Sequence, residues 1–140
     1  MSYRGVAFAL AATAAAAILL MAGCATRGTA SASATEIVLD RAQSRWNALL
    51  RRDWKTAYGY LTSGYRQVVS ADRYGGQFTG PMHWDGAKAT GAECDEKRCV
   101  VTVEISFRLL LPGHMDRVSS TFVEETWLLE DGQWYKFESL

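Results

Sequence analysis

The sequence predicts an α+β fold, with amino-terminal helices packed on a curved antiparallel sheet and a signal peptide ahead of them. Three observations carry that expectation. Apolar residues recur at helical spacing over 36–52. Residues 100–111, VVTVEISFRLLL, alternate apolar and polar with period two. Two further strand-like runs, 118–129 and 133–137, flank Asp131-Gly132, a dipeptide suited to a tight hairpin. Helices first and a meander of strands afterwards is the order of an α+β domain.

The elements follow in chain order. Val38, Ala42, Trp46, Leu49 and Leu50 form one stripe of a first helix, with Thr35 as its cap. Arg41, Arg45, Arg51 and Arg52 are placed largely off that stripe. Asp53 caps a second, short helix carrying Trp54, Ala57, Tyr58 and Leu61, and Thr62-Ser63-Gly64 ends it. A third helical piece starts near Ser70, with Tyr74 and Phe78 four apart. Gly75-Gly76 weakens it and Gly80-Pro81 stops it. Residues 82–93 read as a weaker first strand.

Ahead of the domain, Arg4 precedes an apolar run from Val6 to Ala22, the pattern of a secretory signal. Met21-Ala22-Gly23-Cys24 resembles the lipobox of bacterial lipoproteins: a bulky apolar residue, two small ones, then cysteine. That resemblance implies cleavage after residue 23, lipid on Cys24 and a mature chain held to a membrane. Several acyl chains anchor firmly where one does not. Ala25 is not the aspartate that marks inner-membrane retention in such proteins, so the resemblance points to the outer membrane, with the domain facing the periplasm. An uncleaved membrane helix is the alternative, because the apolar run nearly reaches the ~20 residues that span a bilayer. Residues 24–35 after the cut are small and polar and read as a flexible tether. Residues 36–140 are the domain.

Cleaving residues 1–23 from 140 leaves 117, enough for one core. It removes Arg4 and no acid, taking 15 basic and 15 acidic residues to 14 and 15. No basic face or run suggests nucleic acid or anionic lipid heads as partners.

Two segments carry a further resemblance. RAQSRWNALLRRDWKTAYGYLTSGYR at 41–66 resembles the amino-terminal helices of the nuclear transport factor 2-like superfamily, and EETWLLEDGQWYKF at 124–137 resembles its closing hairpin. The resemblance implies a cone-shaped, cystatin-like fold with a pocket at its open end. Some members are isomerases, dehydratases or cyclases; others bind proteins or small ligands. The shared motifs concern packing and turns, so they speak for fold and not for chemistry.

The candidate functional residues are few. Cys94 and Cys99 flank the polar stretch Asp95-Glu96-Lys97-Arg98. Across a four-residue hairpin loop they face each other, and an oxidising compartment would join them. A metal site needs more ligands than these two cysteines, and none is obvious nearby. Glu125 shares a strand face with Val123, Trp127 and Leu129, while Glu124 points the other way unless a bulge exchanges them. A carboxylate in such a row needs donors. It is either a paired structural group or a catalytic base. His83, sharing a face with Asp85 on a regular strand, is the other weak candidate base; His114 reads as a loop residue. Trp46, Tyr58, Tyr65, Tyr74, Trp84 and Trp127 are candidates for a pocket lining, or are simply core. Asp72 belongs to the pocket mouth or to the first turn of the third helix. No phosphate loop, His-Glu-x-x-His, Gly-x-Ser-x-Gly or dinucleotide fingerprint occurs. The expectation is a lipid-anchored, non-catalytic binding domain for a small apolar ligand or an envelope partner, without metal or cofactor. The rivals are an enzyme using Glu125 or His83, and an assembly subunit or homodimer joined through Phe122 and Leu128 on the outer sheet face.

Overall fold

A computed structural model describes residues 32–80, 82–110, 112–113 and 117–140. The leader, Cys24 and His114 lie outside them. Residues Ser31–Leu140 form a compact unit. Helix α1 spans Ala34–Leu50, α2 Trp54–Gly59, α3 Ser63–Val68 and α4 Ala71–Gly76. Strands β1 Met82–Cys94, β2 Arg98–Leu109, β3 Val118–Glu130 and β4 Gln133–Lys136 follow. They pair in sequence order as a curled antiparallel sheet. This is the α+β architecture that the sequence predicts.

α1 begins with Ser33, not Thr35, as its cap. The Ser33 hydroxyl accepts from the Glu36 N–H while the Glu36 carboxylate accepts from the Ser33 N–H, a reciprocal arrangement that satisfies two otherwise orphaned donors. The helix therefore takes up the last residues assigned to the tether. Val38, Ala42, Trp46, Ala48 and Leu49 go into the core. They meet Cys99, Val101, Val103 and Ile105 of β2, Trp127 of β3 and Trp134 of β4. Removing this apolar surface from water is the main drive for docking α1 on the sheet.

A helix, α3, forms where Thr62-Ser63-Gly64 was expected only to end the second one. Its register buries Tyr65, and Val69 just beyond it is buried too. The Ser63 N–H gives its hydrogen to the Glu130 carboxylate across the fold. α2 has already ended at Gly59, so Leu61 lies beyond it, and the serine and glycine only open the next helix.

Both sheet edges are occupied in part. Beside β4, the Thr62 N–H donates to the Lys136 carbonyl and the Lys136 N–H to the Tyr60 carbonyl, so residues 60–62 act as a short parallel neighbour. On β1, the Gln43 side chain of α1 donates to the Ala87 carbonyl and accepts from the Ala89 N–H. One amide there imitates an absent strand. β1 also breaks register with β2 at Asp85 and at Thr90. Such bulges bend a strand and raise its twist.

Candidate functional site

Glu125 lies on the inner face of β3, and β2 and β3 pair without a register break, so Glu124 is solvent-facing. Glu125 is 5 % exposed and has three donors. Arg45 Nη1 approaches Oε1 at 2.8 Å, Trp46 Nε1 approaches the same oxygen at 3.0 Å, and Trp127 Nε1 reaches Oε2 at 3.2 Å. Arg45 Nη2 donates to the Tyr74 hydroxyl at 2.9 Å. Burial pushes the Tyr74 phenol above its ordinary pKa, partly offset by the neighbouring guanidinium. Arg45 Nε has no partner among the described residues.

The placement of Arg45 off the apolar stripe is therefore corrected: it is 3 % exposed, inside the core. The signal was present. Positions 38, 42, 45 and 49 follow helical spacing, so Arg45 sits in the stripe itself. A buried cation needs a buried anion, and Glu125 was the one carboxylate placed in an apolar row. This tight pair uses Glu125 as an acceptor from three directions, leaving it poorly placed to take a proton from a substrate.

The six aromatic candidates divide. Trp46, Tyr65, Tyr74 and Trp127 are buried and fill the interior. Tyr58 is half-buried, with its hydroxyl donating to the Arg66 and Val69 carbonyls. Trp84 alone of the six lines the cleft between the end of α1, the start of β1 and the segment after α4. Leu49, Leu50, Trp54, Phe78 and Met82 complete its apolar wall, and Arg52, Gln77 and His83 stand around it. Its volume is about 320 Å³, within the range of small-molecule sites. Trp54 stacks on Phe78 at 5.1 Å, Phe78 meets Trp84 edge-on at 5.3 Å, and Trp84 meets Trp46 at 5.3 Å. One aromatic chain thus runs from the cleft to the buried ion pair. Gly75 has a local reason: a Cβ there would stand 3.1 Å from Trp54 Cδ1, so the glycine lets that wall close.

His83 lines this cleft but has no side-chain hydrogen bond among the described residues. The break at Asp85 ends the regular alternation that would place it with His83. Asp85 pairs instead with Arg108, whose Nη2 lies 2.6 Å from Oδ1. Asp72 is exposed, in the first turn of α4. Cys94 and Cys99 face each other in the β1–β2 register and are joined by a disulfide. The Asp95 carboxylate accepts from the Lys97 and Arg98 N–H groups and holds the loop between them. Among the described residues no cluster of three metal-ligating side chains occurs, and no helix is long and apolar enough to cross a membrane. On the outer sheet face Phe122 is exposed, Leu128 is half-buried, and Thr102, Glu104, Glu124 and Thr126 lie around them.

No protein-family model matches this sequence, and no curated protein matches it. Among solved structures it is similar to a SEC-C motif-containing protein from Rhodopseudomonas palustris. The TM-score is 0.56 and the identity 17%, over 70% of this chain and 73% of that one. That likeness shows a shared fold. A protein named an NTF2-like transpeptidase, from Campylobacter jejuni, aligns at a TM-score of 0.46 and 13% identity, over 71% of this chain and 96% of that one.

Proposed function

We propose that this chain is an envelope lipoprotein, anchored through Cys24, whose nuclear transport factor 2-like domain binds a small apolar ligand without transforming it. The cleft carries the binding reading: six apolar side chains surround about 320 Å³ of open space, while Trp46, Tyr65, Tyr74 and Trp127 are buried in the core. Glu125 is committed to Arg45 and two indoles, which supports a structural role for it rather than a catalytic one. The polar surroundings of Phe122 favour the cleft over the outer sheet face as the working surface.

The test is titration of the protein with small aromatic compounds, followed by tryptophan fluorescence. Trp54 and Trp84 line the cleft, so an occupant should quench or shift their emission. Trp84→Leu should weaken binding about tenfold, the size of one lost aromatic contact of roughly 1.4 kcal/mol. Saturable binding that ignores Trp84→Leu and Phe78→Leu alike would place the ligand elsewhere and reject the cleft.

A further inference from the structure

The cleft has an apolar wall and a one-sided electrostatic rim. Its three rim groups are Arg52, His83 and Gln77, and no carboxylate lines it among the described residues. Arg52 is the unusual one. It follows the end of α1 with φ 58°, in the left-handed region, where its N–H donates to the Leu49 carbonyl. Glycine is the ordinary occupant of such a helix end, because any Cβ is strained there. An arginine at this position costs stability, and nothing in the fold repays it: its guanidinium has no ion-pair partner among the described residues. The adjacent Asp53 is engaged elsewhere, as the cap that accepts from the Thr56 N–H of α2. Arg52 thus presents a fork of donors, with no ion pair among the described residues, beside a wall of aromatic rings, and on its other side it borders a hollow that Asp53 and Asp72 also line. A guanidinium in that setting recognises a carboxylate or another planar anion.

We propose that the cleft selects amphipathic anions, with a flat apolar body lying against Trp54, Phe78 and Trp84 and a carboxylate at the rim held by Arg52. His83 is a second rim donor. The inference rests on the cleft being the binding site, and it adds what the ligand must carry. A neutral molecule of the same shape fills the wall but leaves Arg52 unused. A cation meets the guanidinium as a like charge.

The test compares 2-naphthoate with 2-naphthamide, the same two rings with and without a charge. Each is titrated calorimetrically into the full-length chain in lipid nanodiscs, with empty nanodiscs as the blank. The expected result is that naphthoate binds about five- to tenfold more tightly, with the advantage shrinking as salt is raised. Arg52→Gly should erase that preference, bringing naphthoate affinity down to that of naphthamide in the same variant. The same variant should melt at a higher temperature, because glycine relieves the left-handed strain. A misfolded variant would do neither. Equal binding of the two compounds overturns the anion assignment and leaves the cleft as a binding site. A preference that survives in Arg52→Gly overturns the role of Arg52. Binding of neither compound overturns both this inference and the cleft on which it depends.

Discussion

Glu125 and Arg45 form the most consequential pair of side chains in the domain. Each is a charge withdrawn from water, so each depends on the other. Removing one partner leaves the other buried without compensation, at a cost of roughly 3–5 kcal/mol. Against the ~5–15 kcal/mol that holds such domains folded, that is a large fraction. Glu125→Gln should therefore lower the urea midpoint sharply. Arg45→Met combined with Glu125→Gln should regain about half of the loss or more, because the glutamine oxygen still accepts from Trp46 while the orphaned cation is gone. Denaturant melts of the three variants measure this. A Glu125→Gln protein within about 0.5 kcal/mol of wild type would reopen the catalytic reading of that carboxylate. At this scale the sequence was half legible. Strand parity placed Glu125 inward beside Trp127. Arg45 was misplaced because arginine is normally solvent-facing and its neighbours in sequence include three more arginines. The aromatic residues were visible by type, but only tertiary packing decides which fill a core and which face an opening.

At the scale of elements, the sheet faces the problem of its edges. β1 is an edge strand of 13 residues, and a row of open N–H and C=O groups invites another strand. Two bulges interrupt it, and the Gln43 amide occupies the Ala87 and Ala89 positions in between. Gln43→Ala should unmask that stretch without disturbing the core, since Gln43 lies on the partly exposed side of α1. The expected outcome is concentration-dependent self-association in sedimentation velocity, with little change in melting temperature. A monomeric Gln43→Ala protein at high concentration would show that the bulges alone protect the edge. None of this edge protection could be read from the sequence, because a glutamine on a helix carries no mark of which strand it will meet. The strands themselves were readable. Alternation located β2 and β3, and Asp131-Gly132 located the last turn, where both residues have positive φ. α3 was missed because Ser63-Gly64 also suits a helix end, and six residues are too few to show a period.

For the molecule as a whole, the open question is how the domain is held. The proposed anchor, Cys24, lies nine residues before Ser33, the cap of α1. Fully extended, those residues reach about 30 Å, so a lipid on Cys24 would hold the start of α1 within about that distance of the membrane surface. Two architectures would hold the domain in place, and they differ in what Cys24 does. In a lipoprotein the cysteine carries the attachment, so cells grown with labelled palmitate should yield labelled protein in the membrane fraction. Cys24→Ala should then lose the label. With an uncleaved apolar helix, the wild type carries no label and Cys24→Ala stays in the membrane at undiminished level. The label discriminates more sharply than fractionation alone, because a signal that fails to be cut also retains a protein at the membrane. Cys24→Ala should leave the Cys94–Cys99 disulfide intact, since those two cysteines pair within one hairpin. A labelled Cys24→Ala protein would place the lipid on another residue and overturn the lipobox reading. An unlabelled wild type whose mass includes residues 1–23 would establish the membrane helix in its place.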